Sequence, residues 1–80
     1  MYVKQFHVKN QFVIEDNGNT YFQSYNSIIA KRDINGVITL GNNWDYSKTT
    51  NKYRNMFLEE TTKETEKKIA DGIYKIDKTL

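Results

Sequence analysis

Apolar residues alternate with polar ones from Tyr2 to Leu40, then recur about every 3.6 positions after Asn43, and this change of period constrains the fold most. Alternation is what a half-covered strand requires, because successive side chains point to opposite faces of a sheet. The longer repeat instead lines apolar groups along one stripe of a helix. Extended segments first and helices second predict an α+β domain: an antiparallel β-meander of four to five strands followed by two short helices packed on one sheet face. Residues 1–80 should form a single domain, since 80 residues supply one core at the size where a core is just sufficient.

Strands are expected near residues 2–8, 11–15, 20–25, 27–33 and 37–40, with Ile73-Tyr74-Lys75-Ile76 as a possible last short strand. Asp16-Asn17-Gly18-Asn19 reads as a hairpin loop, and Asn35-Gly36 as a two-residue hairpin turn. A break at Tyr25-Asn26 and one bent strand fit the letters there equally well. In the first strand, alternation sets Tyr2, Phe6 and Val8 on one face and Val3, Gln5 and His7 on the other.

Ser47 fits an N-cap, its hydroxyl accepting from an unpaired N–H of the first turn. The helix that follows, residues 47–58, should bury Tyr53, Met56 and Phe57. Thr61-x-x-Glu64 matches a capping box, so a second helix starts at Thr61 or Thr62, with Glu64 placed to pair with Lys67 or Lys68. Gly72 closes it, with Ile73 packing back on the last turn, and the thin apolar face of Ile69 and Ala70 puts this helix at the edge.

Charge singles out one stretch. Residues 1–46 hold four cations and four acids, and residues 57–80 hold five cations and six acids. Residues 47–56 carry Lys48, Lys52 and Arg54 with no acid, so the chain's net +2 comes from this segment. Two of these cations sit in the N-terminal half of a helix, where they oppose its dipole by about 0.3–1 kcal/mol each. A local rule broken without visible gain points to function. On the helical wheel Lys48, Lys52 and Asn55 share a stripe, Ser47, Asn51 and Arg54 share the next, and both face away from Tyr53 and Phe57. With Trp44 and Tyr46 beside them, the candidate contact face is Trp44, Tyr46, Lys48, Lys52, Arg54 and Asn55.

Other chemistries find no support in the letters. There is no Cys and a single His, so no disulfide framework, thiolate zinc site or metal ligand set is expected. His7 lacks the partners of a catalytic triad, Glu15-Asp16-Asn17-Gly18-Asn19 lacks the spacing of a calcium loop, and Glu59 and Glu60 diverge on a helix by about 100°. No catalytic residue and no cofactor are expected, so the chain reads as a non-enzyme. No apolar run approaches the ~18 residues of a membrane span and the start has no signal-peptide core, which predicts a cytoplasmic protein with no membrane partner.

The run Trp44-Asp45-Tyr46-Ser47-x-Thr49-Thr50-x-Lys52-Tyr53-Arg54-x-x-Phe57-Leu58 resembles a group of small uncharacterised proteins of phages and prophages of low-GC Gram-positive bacteria. The likeness extends to Ser24-Tyr25-Asn26-Ser27-Ile28-Ile29-Ala30-Lys31 and to Lys67-Lys68-Ile69-x-x-Gly72-x-Tyr74. That group commonly has Gly after the Phe-Leu pair, where this chain has Glu59, so the resemblance does not by itself carry a sharp interhelix turn over to this chain. It also implies a phage accessory protein in the host cytoplasm that binds and blocks a host protein, such as a defence-system nuclease in the manner of an anti-CRISPR. The competing expectation is a nucleic-acid-binding module in which Lys48, Lys52 and Arg54 hold phosphates while Tyr46 or Trp44 stacks on a base. A homodimer, formed through the sheet surface around Val3, Gln5 and His7, is a third expectation.

Overall fold

The computed structural model describes residues 1–80. Six strands, β1 (Tyr2–Phe6), β2 (Val8–Asp16), β3 (Asn19–Ser24), β4 (Ser27–Arg32), β5 (Ile38–Gly41) and β6 (Lys75–Asp77), form one sheet in sequence order. Between β5 and β6 the chain forms α1 (Lys48–Leu58) and α2 (Thr62–Ala70). The first five strands are an antiparallel meander, as the alternation predicts, and β6 adds a sixth strand parallel to β5. Parallel neighbours need a crossover connection, and the two helices are that crossover, which puts them together over the sheet.

Three turns set the meander. Asp16 pairs with Asn19 across Asn17 and Gly18, both at positive φ, as a two-residue type I′ hairpin requires. Ser24 pairs with Ser27, so the break at Tyr25-Asn26 is real, and Tyr25 takes φ 54° there. The Asn35-Gly36 hairpin also forms, but not as a two-residue turn. Asp33 Oδ1 accepts from the N–H groups of Asn35 and Val37, the Gly36 N–H donates to the Asp33 carbonyl, and only Gly36 (φ 83°) is left-handed. The aspartate side chain holds a longer loop than the dipeptide alone predicts. β1 ends one residue short of His7, which sits at the turn with φ 66°. Gly41 closes β5 where an added Cβ would lie 2.1 Å from the Ile28 carbonyl oxygen, so β4 and β5 converge only over glycine.

Cross-strand registry sorts the two faces. Val13, Phe22, Ala30 and Leu40 lie side by side under the helices, and with Ile29, Ile38, Tyr53, Phe57, Leu58 and Tyr74 they make the core. Phe57 stacks on Phe22 (centroids 5.7 Å, planes 24° apart) and Phe6 meets both edge-on at 5.8 and 6.2 Å. The opposite face carries Val3, Ile14 and Tyr21 in one row and Phe12 with Ile28 in the next, outside that core.

α1 buries Thr50, Tyr53, Arg54, Phe57 and Leu58, an i, i+3, i+4, i+7, i+8 stripe. Tyr53 and Phe57 lie where the periodicity puts them. Met56 does not: it falls off this stripe and is 40% exposed, and Arg54 fills the inward position instead. Ser47 caps the helix, its Oγ accepting from the Thr50 N–H at 3.1 Å. α2 opens with the complete capping box, Glu64 N–H to Thr61 Oγ1 at 3.2 Å and Thr61 N–H to Glu64 Oε1 at 3.1 Å. Its lysines pair elsewhere than with Glu64: Lys67 with Asp71, and Lys68 with Glu60. Beyond Gly72 the Ile73 N–H returns to the Lys68 carbonyl, but Ile73 stays in solvent and Tyr74 is the residue that packs inward.

The turn between the helices is sharp despite the absent glycine. Glu59 takes φ 57°, ψ 46°, its N–H donating to the Asn55 carbonyl. A left-handed glutamate costs on the order of 1 kcal/mol that glycine would not. Glu59→Gly is therefore expected to raise the melting temperature by a few degrees in calorimetry; a lower melting temperature would contradict this backbone assignment.

Candidate functional site

The loop from β5 into α1 and the β3–β4 turn enclose a cleft of about 570 Å³, a size typical of ligand and side-chain pockets. Ser24, Tyr25, Asn26 and Ser27 form one wall, and Asn43, Tyr46, Ser47, Thr49 and Thr50 form the other. Ser24 and Thr50 hydroxyls hydrogen-bond at 2.9 Å across the buried floor, and Asn43 Nδ2 donates to Ser27 Oγ at 3.0 Å. The lining holds hydroxyls, amides and two phenols, with Ile29 behind them and no charged side chain. Tyr25 (49% exposed) and Tyr46 (69% exposed) stand at the rim.

What holds this wall is Arg54. It is 0% exposed, and its donors reach four neutral acceptors: Nη1 to the Trp44 carbonyl (2.5 Å) and Asn51 Oδ1 (3.0 Å), Nη2 to Asn55 Oδ1 (3.0 Å) and Thr62 Oγ1 (2.9 Å). Its Cζ lies 5.2 Å from the Trp44 ring centroid. Asn51 also donates to Asp45 Oδ1 at 2.6 Å, which ties the loop to the helix a second time. Burial pushes the guanidinium pKa down, and the fields of Asp45, Glu60 and Glu66 oppose that only in part.

The predicted contact face therefore divides. Tyr46, Lys48 and Lys52 lie in solvent, and neither lysine has a carboxylate within ion-pair distance. Arg54 points inward, contrary to the wheel reading, because the planar guanidinium finds carbonyl and amide acceptors that a solvent-facing position lacks. Asn55 serves the same junction, accepting from Arg54 and donating to Thr62 Oγ1 at 3.2 Å. Trp44 is half-buried against the core and over Arg54. Ser24, Tyr25, Asn26, Ser27 and Asn43 were missed by charge reasoning. They come from two stretches distant in sequence, the β3–β4 turn and the loop before α1, which the fold brings to one cleft.

A second polar cluster fixes the end of the crossover. The Glu60 side chain, 2% exposed, accepts from Lys68 Nζ and Tyr74 Oη, each at 2.7 Å, and from Thr65 Oγ1. Burial pushes the Glu60 carboxyl up, yet the bonds from Lys68, Thr65 and Tyr74 outweigh it and hold the group below its ordinary value. Lys68 is raised by its bond to Glu60, and Tyr74 is raised by burial and then by the carboxylate it donates to. Sequence reading placed Glu60 beside Glu59 on a helix and gave it no partner, since Lys68 and Tyr74, eight and fourteen positions on, follow no local period.

Two expectations follow. Arg54→Ala removes the donor from three acceptors, the Trp44 carbonyl, Asn51 Oδ1 and Asn55 Oδ1, and leaves Thr62 Oγ1 with Asn55 alone. It should cost about 2–4 kcal/mol in denaturant unfolding, and Arg54→Lys should recover little because a point charge cannot span these groups; full recovery by lysine would refute the fork geometry. A lowered folded pKa makes the Glu60 contribution fully present above its ordinary value and lost as pH falls below about 4.5. Raised values at Lys68 and Tyr74 make theirs present below about pH 10 and lost above it. Glu60→Gln should lower the melting temperature at neutral pH and flatten its decline in acid; an unchanged acid slope would remove Glu60 as its source.

Residues 2–72 match the model of a family described as Family of unknown function (DUF8033), and the chain belongs to that family. No curated protein and no solved structure matches it significantly.

Proposed function

Taking that family membership as premise, we propose that the protein is a phage or mobile-element accessory protein that acts in the host cytoplasm by binding a host protein, and that it inhibits a defence nuclease or a similar target. The observation that carries this reading is the convergence of two distant segments on one cleft with two rim tyrosines, beside two exposed lysines with no carboxylate at ion-pair distance. Exposed tyrosines around a preformed recess match the composition of interface hot spots. Tyr25 holds a left-handed backbone that a bulky residue rarely adopts, and strain of that kind collects at binding sites. No helix is long and apolar enough to cross a membrane.

Nucleic acid is the weaker partner. With Arg54 inside, two lysines remain for phosphates, which sets a salt slope of about −2 and little affinity at physiological salt. The test is capture from nuclease-treated host lysate by tagged wild type and by a Lys48→Glu, Lys52→Glu variant. Acids in the first half of α1 favour its dipole, so the variant should melt no lower than wild type. A host protein retained by wild type and lost by the folded variant supports the reading. Equal capture by both, or capture that vanishes on nuclease treatment, overturns it.

A further inference from the structure

Gln11 is fully buried, and neither its amide oxygen nor its amide nitrogen has a partner in the protein. It lies opposite Ser24 in the β2–β3 register, so the two side chains leave the same face of the sheet as neighbours. Ser24 is itself the floor of the cleft, bonded to Thr50. An unpaired donor and acceptor thus sit behind the Ser24 floor of a recess that they do not themselves line, and whose walls are hydroxyls and amides. Burying such an amide alone is costly, and a complementary group nearby removes the cost.

The charges around the recess are arranged differently. None of the lining side chains is ionised, whereas Lys48 leaves the backbone between the lining residues Ser47 and Thr49, and Lys52 follows one turn on. A charged group entering the cleft would lose its water without meeting an opposite charge. One held outside it would meet the two lysines. The rim tyrosines present flat apolar faces to whatever lies between.

We propose that the cleft receives an uncharged amide from the partner polypeptide, an asparagine or glutamine side chain or a length of main chain, while acidic residues flanking it meet Lys48 and Lys52. This rests on the protein-binding reading above and names the chemistry of the bound segment. An amide supplies one acceptor and up to two donors in a plane, which suits the uncharged hydroxyl and amide lining, Ser27 and Asn43 among it. Carboxylates on either side supply the charge that the lysines lack within the chain.

The experiment is a two-dimensional NMR titration of the full-length protein with three probes: the capped tripeptide Glu-Asn-Glu, its Lys-Asn-Lys counterpart, and uridine. The acidic peptide should shift the backbone signals of Ser27, Asn43, Ser47 and Thr50. It should bind at least about threefold more tightly than the basic one, and Lys48→Glu with Lys52→Glu should reverse the preference. Absence of cleft shifts with either peptide overturns the proposal. So does tighter binding of uridine, which would assign the cleft to a nucleobase, and so does equal affinity for the two peptides. A lysate capture that fails while the cleft shifts appear would sink the host-protein reading and leave the amide chemistry of the cleft standing.

Discussion

A buried arginine without a carboxylate is the constraint on which the site depends. Arg54 binds the β5–α1 loop through the Trp44 carbonyl, its own helix through Asn51 and Asn55, and the second helix through Thr62. An uncompensated buried charge is tolerable only when several dipoles point at it. The four acceptors come from three separate segments, so the cation sets their mutual geometry. With Trp44 and Asp45 fixed from below, Tyr46 is the loop residue left to project.

At its other end the crossover is fixed by the reverse arrangement, a buried carboxylate served by one cation and two hydroxyls. Glu60 joins the inter-helix turn to Thr65 and Lys68 on α2 and to Tyr74 just before β6. The tight turn at Glu59 places Glu60 where this is possible. Sheet packing through Phe22, Phe57 and Phe6 supplies the apolar adhesion, and the two polar clusters fix position over it.

The meander, the helix caps and the Tyr53–Phe57 stripe were legible because each depends on neighbours within a few positions. Asn17-Gly18 announces its own turn, and Thr61 with Glu64 announces its own cap. Arg54 was not legible, since a cation on a helix reads as surface until its acceptors are known, and two of these lie eight and ten positions away. The displaced Met56 and the exposed Ile73 have the same origin: packing partners decided between neighbouring candidates that periodicity left nearly equal. The loop at Asp33 shows the principle in a turn, where a side chain two residues upstream overrode the dipeptide.

The non-glycine left-handed residues are not scattered evenly. His7 (φ 66°) and Asn10 (φ 70°) bracket the start of β2, and the Tyr25 N–H donates to the Asn10 carbonyl at 2.7 Å. His7 in turn stacks on Tyr53 of α1 at 6.4 Å. The Tyr25 turn, the start of β2 and α1 are thus joined by one main-chain bond and one ring contact, so three left-handed non-glycine residues share the end of the sheet that borders the cleft.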